Sequence, residues 1–461
     1  MDITKDNLRK VVLTLSWPAV ARMGLNMLVQ VIDLAMVGSL GAAAIAAVGV
    51  SNQIFFLAIG IVSAFSIGTI ALVSQNIGAN NIPQAKAVAR QALIFTASAT
   101  FILSLIGFSF APQLISAVLI MMEEPDPDIL ALGTAYLRII SLSISFRFLM
   151  PVINGILQGA GNMRMPLYIM IVANAFNIIG NYFLIFGIGP FPRLDVAGAA
   201  IATALAGVLG TIMGLAAVFH SSCKVQLSLK DSFHIQIPVI KRILQVGIPA
   251  AIEQCITHGG QLLYTMLAAS LGSIAIAANQ IMMSAFSMTS LPCIGFAMVA
   301  TTLVGQNIGA KKITRARAGG LETLRWAVIF TSLVGLVFIF YPELVIRGFT
   351  DDPEVIPLAS RTLRILGLAE PALATALVLA GGLRGAGDTR WVMYITAFGL
   401  LLVRLGFSLT FVSWGWGLLG LWGAATLEAY VRACLVFNRF NSGQWAGSRS
   451  FTGQTSQSLA K

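Results

Sequence analysis

Charged side chains are scarce in this chain of 461 residues, where Asp, Glu, Lys and Arg together make up 10%. A soluble fold of this length would need roughly 25% charged residues to cover its surface. The hydrophobic fraction is 57%, and the mean hydropathy is +0.86. These values exclude a soluble enzyme and a disordered protein, and they leave a protein that crosses the membrane several times.

Cysteine and histidine are also rare, with four and three residues respectively. The cysteines lack Cys-x-x-Cys spacing and no histidine lies near an acid at ligand spacing, which argues against a disulfide framework and a zinc centre. The chain has no Gly-x-x-x-x-Gly-Lys-Ser/Thr segment, so ATP-driven pumping is not predicted. We therefore expect no enzyme activity, no catalytic residue and no organic cofactor.

Long apolar stretches recur along the whole chain. A transmembrane helix needs about 20 mainly apolar residues, because its backbone amides must all be bonded within the segment. Twelve stretches meet this requirement, at residues 11–36, 44–74, 88–110, 130–157, 164–187, 197–219, 240–270, 274–304, 320–342, 357–383, 390–412 and 418–438. No recurring alternation of period two favours a barrel. The prediction is an all-α membrane protein with twelve transmembrane helices.

The net charge of +11 would indicate a nucleic-acid partner if the protein were soluble. Here the basic residues lie in short loops, as they do in the cytoplasmic loops of membrane proteins. With the N-terminus inside, the inner segments hold 19 of the 29 Lys and Arg residues, and the outer segments hold four. We therefore predict no nucleic-acid partner, a multi-pass location in the cell membrane, and both termini in the cytoplasm.

The two halves of the sequence repeat each other. The segment QNIGA at 75–79 returns at 306–310, and LQGAGNMR at 157–164 returns as LRGAGDTR at 383–390. An even number of six spans per half gives both repeats one orientation, so we predict two six-helix bundles related by a pseudo-two-fold axis along the membrane normal. Such parallel repeats place a substrate site at their interface and alternate access by rocking.

This repeat also predicts the domain boundaries. The N-terminal six-helix bundle covers 1–219, and the polar segment 220–239 forms a cytoplasmic linker. The C-terminal bundle covers 240–440, and a cytoplasmic tail follows at 441–461.

Ionisable residues inside a bilayer are costly and are functional hypotheses by default. Asp33 lies deep in the first span without a basic residue four positions away. The amides and hydroxyl that we expect near it in the first half are those of Asn154, Asn174, Asn177, Asn181 and Thr203. The spacing of the last three asparagines puts them on one helix face. Two interpretations stay open: a site for a hard monovalent cation or a proton, and a polar seam that joins helices.

Glu253 is the acidic candidate of the second half, with Glu370 before a proline in the tenth span. Tyr264 is the repeat counterpart of Asp33. The alternative for Glu253 is an ion pair with Arg404 or Arg22 that only locks helices together. Glu428 and Arg432 are spaced to pair with each other on the last span. The residues expected to line a substrate cleft are Asn174, Gln261, Asn279, Gln280, Met283 and Phe286.

In combination these features resemble the multidrug and toxic compound extrusion (MATE) transporters, over about residues 14 to 445. The resemblance rests on Asp33 within IDLAMVGSLG, the doubled QNIGA, and LQGAGN and LRGAGDT before the fifth and eleventh spans. It implies two six-helix bundles forming a V around a cleft. It also implies export of varied, often cationic organic compounds in exchange for inward Na⁺ or H⁺, by a protein that we expect to be monomeric.

The resemblance also assigns site residues. The family's first-half cation network falls on Asp33, Asn154, Asn177, Asn181 and Thr203, so that Asp33 and Asn177 would hold Na⁺. One branch of the family has an aspartate at the position of Asn181, so a proton site with two carboxylates is in question. The acid of span seven in another branch matches Glu253, whereas its aspartate in span ten is unmatched and Glu370 lies nearby. The alternative function is a flippase for a lipid-linked sugar or another amphipathic lipid.

Overall fold

The computed structural model describes residues 2–38, 65–121, 127–187, 192–220, 223–228 and 234–446. All regular elements in these residues are helical, and ten of the described helices are long and apolar enough to cross a membrane. The prediction of an all-α membrane protein is confirmed. Most of the predicted second span lies outside the described residues, which resume at residue 65.

The described residues of the first half include seven helices. In chain order they are α1 (Leu8–Gly38), α2 (described over 65–78), α3 (Ile82–Ser109), α4 (Ala111–Met121), α5 (Pro127–Gly159), α6 (Arg164–Phe186) and α7 (Asp195–Phe219). Proline lies inside α1 and α5, at Pro18 and Pro151. A proline inside a helix cannot donate to the carbonyl four residues earlier. Near the proline of α5, the Ser66 hydroxyl of α2 donates to the Pro151 carbonyl at 2.9 Å.

The helices described in the second half follow a similar order. They are α8 (Ile237–Ala269), α9 (Ser273–Gly309), α10 (Ile313–Phe340), the short α11 (Pro342–Arg347), α12 (Val355–Ala386), α13 (Thr389–Ala397), a π-helical turn (Phe398–Arg404), α14 (Leu405–Ser413) and α15 (Gly417–Asn441). The predicted seventh span corresponds to α8. It is not one of the ten most apolar helices because Glu253, His258 and Gln261 interrupt its apolar surface.

The described residues cluster into two compact units. The N-terminal unit comprises Leu25–Val73 and Ile82–Gly247, and the C-terminal unit comprises Met1–Gly24, Ser74–Asn81 and Ile248–Lys461. Helices α1 and α8 therefore contribute residues to both units. This division differs from the halves of the sequence repeat, whose bundle boundaries stay a prediction.

Within the N-terminal unit, α7 packs against both α5 and α6. The face of α7 consists of small residues, so backbones approach closely, and a Cβ on Gly198 would overlap the carbonyl oxygen of Leu184. A buried cluster that includes Ile115, Leu137 and Ile185 fills the space between α4, α5, α6 and α7.

In the C-terminal unit, α12 is the central helix and packs against α9, α10 and α15. Two glycines permit the contact with α9, because a Cβ on Gly381 would overlap the carbonyl oxygen of Ala297. A Cβ on Gly385 would likewise overlap the carbonyl oxygen of Thr301. This close packing buries the middle of α12, where the sequence places Glu370.

The repeated turn before the fifth and eleventh predicted spans has one backbone form in both copies. Gly161 and Gly387 have φ of 84° and 86°, which glycine adopts without steric cost. The residues that follow these glycines make different contacts. Asn162 Oδ1 accepts a hydrogen bond from the Met165 amide in the first turn of α6, at 3.1 Å. Asp388 instead accepts from Arg439 Nε at 2.8 Å.

The two QNIGA segments pack against each other within the C-terminal unit. A Cβ on Gly78 would overlap the Gln306 carbonyl oxygen, and a Cβ on Gly309 would overlap the Gln75 carbonyl oxygen. The Gln75 side chain also donates to the Gly385 carbonyl at 2.9 Å. The segments that repeat most faithfully in sequence thus form a reciprocal contact in which only glycine fits.

Candidate functional site

A cluster of uncharged polar side chains lies between α6 and α7. Asn177 Nδ2 donates to Thr203 Oγ1, and Asn181 Nδ2 donates to Asn177 Oδ1, each at 3.3 Å. Asn177 and Asn181 are one helical turn apart on α6 and only 4% and 2% exposed. The predicted asparagine stripe therefore exists, and it contacts the next helix through Thr203.

The other predicted members of this group take separate positions. Asn154 on α5 and Asn174 on α6 are half-buried, and each has one buried amide atom without a hydrogen-bond partner among the described residues. Asp33 lies in α1, within the N-terminal unit, but its side chain lies outside the described residues. The structure brings together Asn177, Asn181 and Thr203.

The atoms of this cluster that could bind an ion are uncharged oxygens. Amide and hydroxyl oxygens are ligands for hard cations, which bind oxygen rather than nitrogen or sulfur. The described residues contain no group of three or more His, Cys, Asp or Glu side chains that could hold a metal ion. A monovalent cation, whose binding needs less negative charge, suits the amide cluster better than a divalent metal.

Glu253 makes a buried ion pair in the C-terminal unit. Arg384 donates from Nη2 to Glu253 Oε1 at 2.5 Å and from Nε to Oε2 at 3.3 Å. Thr396 Oγ1 adds a third hydrogen bond to Oε1 at 3.3 Å. The alternative interpretation of the sequence paired Glu253 with Arg404 or Arg22. Glu253 does form an ion pair, but its partner is Arg384. Arg384 lies in the last turn of α12, a position that the sequence assigned to an inner loop.

Glu370 occupies a different environment at the centre of the same unit. Its side chain is fully buried, and Oε1 accepts a hydrogen bond from Thr289 Oγ1 of α9 at 2.8 Å. Its Oε2 has no hydrogen-bond partner among the described residues. On α10, the absence of a side chain at Gly335 leaves room for it, since a Cβ there would lie 3.3 Å from the Glu370 Cγ.

The three residues predicted for a second acidic site do not converge. Glu370 and Arg384 are 14 residues apart on α12, so the Glu253 pair lies about 21 Å along the helix from Glu370. Tyr264 is fully buried beside Arg404, whose guanidinium carbon lies 4.0 Å from the ring centroid. Each of the three has its own partners, so they do not share one ion in this conformation.

The residues predicted for a substrate cleft also have identified contacts in the C-terminal unit. Gln261 donates to the Met283 sulfur at 3.1 Å, and buried Asn279 accepts from Trp422 Nε1 at 3.2 Å. Phe286 packs against the ring of Trp422 with a centroid distance of 6.4 Å. Gln280 is exposed. Five of the six residues therefore lie on α8 and α9 of the C-terminal unit, and Asn174 belongs to the other unit.

Sequence reasoning missed Arg384, Thr289 and Thr396. These residues matter because they contact Glu253 and Glu370, two of the buried acids of the C-terminal unit. The threonines carry no pattern signal in an apolar helix, since they commonly bond to the carbonyl four residues back. Arg384 had one available signal, namely that Glu253 lacks a basic residue at helical spacing and needs a partner from elsewhere.

The MatE family model matches residues 18–183 and 249–410 of this chain. The chain belongs to the MatE family. One match lies in each half of the chain, which agrees with the internal repeat seen in the sequence. The resemblance to the MATE transporters is thereby confirmed, and so is the description of the protein as an integral membrane protein with multiple apolar helices.

Relatives across the length of the chain carry transport names. A probable multidrug resistance protein, NorM of Thermotoga maritima, is 30% identical over 95% of this chain and 93% of its own length. The uncharacterized transporter YisQ of Bacillus subtilis is 27% identical over 94% of both chains. The family's relatives are thus named as transporters and not as enzymes.

Solved structures share the fold of this chain. An outward-facing multidrug resistance MATE transporter of the MOP superfamily superposes with a TM-score of 0.88, at 22% identity, over 96% of this chain and 98% of its own. A MATE protein in complex with MaD3S gives 0.88 at 21% identity with the same coverage. At this identity the match demonstrates the fold.

Proposed function

We propose that this MatE-family protein is a secondary active antiporter of the cell membrane. It exports varied, often cationic organic compounds in exchange for inward Na⁺ or H⁺ by rocking of its bundles. It acts as a monomer with both termini in the cytoplasm, and its partners are small organic molecules and lipid. It uses no cofactor beyond the coupling ion.

The observation that carries this proposal is the buried amide cluster of the N-terminal unit. Asn177, Asn181 and Thr203 present neutral oxygens inside a membrane-spanning unit, where an uncompensated polar group is costly. The same unit contains Asp33 in α1. In the proposed site Asp33 supplies the negative charge, and Asn154, Asn177, Asn181 and Thr203 supply neutral ligands. Asp33 and Asn177 hold Na⁺ when Na⁺ is the ion.

A coupling ion drives transport only if it binds one facing state more tightly than the other. An organic cation and the coupling ion are both positively charged, so they compete for the single carboxylate of Asp33. In this scheme, the inward ion displaces the substrate, and the amide cluster adjusts its hydrogen bonds at low energetic cost, about 0.6 kcal/mol for each bond.

The second acidic site of the proposal lies in the C-terminal unit. Among Glu253, Glu370 and Tyr264, we place the exchangeable ion at Glu370, because Glu370 Oε2 has no partner among the described residues. Glu253 is held by Arg384 in three-point contact with Thr396, and its part in the scheme is to keep α8 and α12 together. Tyr264 contacts Arg404.

The test is uptake of a fluorescent organic cation into inverted vesicles, with Na⁺ and pH gradients imposed separately. We expect at least one gradient to drive uptake, and Asp33→Asn to abolish the driven part while the protein remains folded. Asp195→Asn is the matched control, because Asp195 lies at the exposed start of α7 and forms a surface ion pair with Arg193. Full uptake by Asp33→Asn would remove Asp33 from the mechanism. Uptake that depends on neither gradient would favour the flippase.

A further inference from the structure

Exposed basic side chains gather where two spanning helices of the C-terminal unit begin. The helices are α1 and α10, which meet the length and hydropathy of membrane spans over Leu8–Val29 and Ile313–Phe340. The basic side chains precede these helices or lie in their first two turns. This set, called the basic patch below, comprises Lys5, Arg9, Lys10, Lys311, Lys312 and Arg317.

Hydrogen bonds join the two segments that carry the basic patch. Lys312 Nζ donates to the Thr4 carbonyl at 2.9 Å, across 308 residues of sequence. Arg315 Nη2 donates to the Ile3 carbonyl at 3.2 Å, and the Ile3 side chain is only 3% exposed. The segment before α1 is therefore fixed to the start of α10, and the patch is one continuous surface.

The basic patch has more positive than negative charge. Its acidic neighbours are Asp2, Asp6 and Glu322. Asp2 lies 3.7 Å from the Lys5 ammonium, and Glu322 lies 3.7 Å from Arg9 Nε with 19% of its side chain exposed. These three carboxylates face six exposed cations, so an excess of positive charge remains at the surface.

The internal repeat shows that this charge belongs to one copy of the loop. Both QNIGA segments are followed by a turn and a spanning helix, and the offset between the copies is 231 residues. The positive-inside bias places cations in inner loops, but it does not distinguish one copy from the other. In order, Asn80, Asn81, Gln84 and Lys86 of the first copy correspond to Lys311, Lys312, Arg315 and Arg317 of the second.

The second copy carries its charge at a cost to the backbone. Asn80 and Lys311 occupy the same place in the two turns, with φ of 57° and 59°. Asparagine tolerates this left-handed conformation, whereas lysine rarely adopts it. Departures from local preference are expected where a residue serves function. Lys311 is therefore better explained by its charge than by the turn.

Aromatic and apolar side chains place the basic patch at the edge of the membrane. Trp17 is 52% exposed and lies seven residues beyond Lys10, about 10 Å along α1. On α10, Ile313 is 46% exposed, and the Trp326 ring centroid lies 5.8 Å from the Arg9 guanidinium carbon. Tryptophan is enriched where the hydrocarbon meets the headgroups. The cations at the helix starts therefore lie level with the headgroups.

We propose that the basic patch binds the phosphate headgroup of an anionic phospholipid in the leaflet that it faces. Clusters of four to eight Lys and Arg residues beside a spanning helix attract anionic lipids. The ammonium groups attract the phosphate as point charges, and Arg9 and Arg317 bind its oxygens with their guanidinium forks. The inference requires that α1 and α10 span the membrane, and it does not depend on antiport.

The test compares two lipids that share their acyl chains. The full-length protein in detergent micelles is titrated with dioleoylphosphatidylglycerol or dioleoylphosphatidylcholine, and native mass spectrometry resolves the bound lipids. We expect the first phosphatidylglycerol to bind at least about tenfold more tightly than phosphatidylcholine, because only the former has a net negative headgroup. Equal affinities would overturn the proposal.

A pair of triple variants locates the binding site. The patch variant combines Lys5→Gln, Lys10→Gln and Lys311→Asn. The control makes the same change of charge in the N-terminal unit, with Lys86→Gln, Lys224→Gln and Lys241→Gln. We expect the patch variant to lose most of its preference for phosphatidylglycerol and the control to keep it. Equal losses in the two variants would contradict a site at the patch, because net charge alone would then explain them.

Lys311→Asn by itself separates lipid binding from damage to the fold. It should weaken phosphatidylglycerol binding about fivefold. Without anionic lipid, its melting temperature should equal or exceed that of the wild type, because asparagine fits the left-handed turn. Unchanged phosphatidylglycerol affinity, or a lower melting temperature without anionic lipid, would contradict the argument from this lysine.

A free phosphate ion offers the same chemistry as a lipid headgroup. The titration with phosphatidylglycerol is therefore repeated in inorganic phosphate and in chloride at equal ionic strength. Equal lipid binding in the two salts supports the lipid as occupant. Displacement of the lipid by phosphate would assign the patch to a soluble anion and overturn the proposal. These measurements involve no transport, so their outcome is separate from that of the vesicle experiment on antiport.

Discussion

The two compact units keep their buried polar side chains in different chemical states. In the N-terminal unit, Asn177, Asn181 and Thr203 form an uncharged chain of hydrogen bonds at 3.3 Å. In the C-terminal unit, Glu253 meets Arg384 at 2.5 Å and Glu428 meets Arg432 at 3.0 Å. The buried cluster of the first unit is thus neutral, whereas these two clusters of the second unit are ion pairs.

This difference separates two kinds of polar group in a membrane. Breaking an amide hydrogen bond between helices costs about 0.6 kcal/mol on average, so such a cluster exchanges partners readily. Removing one member of a buried ion pair leaves an uncompensated charge and costs about 3–5 kcal/mol. This contrast supports the proposal that the neutral cluster accepts and releases an ion, whereas the Glu253–Arg384 pair joins α8 to α12.

The largest effect is expected when the Glu253 pair is broken. Arg384→Gln leaves a buried carboxylate with only Thr396 as partner, and should lower the free energy of unfolding by about 3–5 kcal/mol. Thermal unfolding of the detergent-solubilised protein measures the loss. Glu253→Gln combined with Arg384→Gln should recover most of it, because no charge is then stranded. Equal losses in the single and double variants would mean that the pair does not lock α8 to α12.

A smaller effect is expected at the reciprocal glycine contact of the two QNIGA segments. Gly309→Ala places a methyl group on the Gln75 carbonyl oxygen and should cost about 1–3 kcal/mol through overpacking. Two controls sharpen the comparison between units. Gly180→Ala in the N-terminal unit meets only the Ala202 Cβ at 3.1 Å, and Gly259→Ala on α8 meets nothing within 4 Å. A melting temperature for Gly309→Ala no lower than for Gly259→Ala would contradict the close packing.

Mutation of the amide cluster should change the stability of the protein little and its ion binding strongly. Asn177→Ala removes the hydrogen bonds to Thr203 and Asn181 and should cost about 1 kcal/mol or less. If Na⁺ is the ion, NaCl raises the melting temperature of the wild type above its value in choline chloride, and Asn177→Ala loses this increment. Asn162→Ala, just before α6, is the control because it removes a hydrogen bond to the Met165 amide and leaves the cluster intact. A retained increment in Asn177→Ala would separate the cluster from ion binding.

The smallest effect is expected at an exposed ion pair. Arg325 lies 4.0 Å from Glu322 on α10, with 59% of the arginine side chain exposed. Arg325→Gln should change the free energy of unfolding by less than about 0.5 kcal/mol, because solvent screens such pairs. A loss as large as that of Arg384→Gln would show that burial does not distinguish the two ion pairs.

Sequence patterns predicted the elements of this fold because hydrophobicity and length alone define a membrane-spanning helix. The apolar runs, the repeat of QNIGA and the turn glycines Gly161 and Gly387 are local signals, and the structure agrees with them. The asparagine stripe of α6 was predictable for the same reason, since spacing by three and four places side chains on one face. The pair of Glu428 and Arg432 lies one turn apart and was equally local.

Contacts between residues far apart in the chain could not be predicted from such local signals. Glu253 and Arg384 are separated by 131 residues in the chain, and Thr289 and Glu370 by 81. No periodicity connects them, because their contact depends on how α8, α9 and α12 pack. The widened turn that ends at Arg404 is likewise invisible in an apolar stretch.

The linear order of residues thus determined the membrane class, the helices, the duplication and the family, all of which rest on interactions within one helix or on recurrence along the chain. Tertiary packing decided which acid is neutralised by an arginine, which keeps an unbonded oxygen, and which lysines and arginines share one surface. The reason is that a buried charge is stabilised by whichever group the neighbouring helix brings within a few ångströms, and that neighbour is set by the fit of helix surfaces.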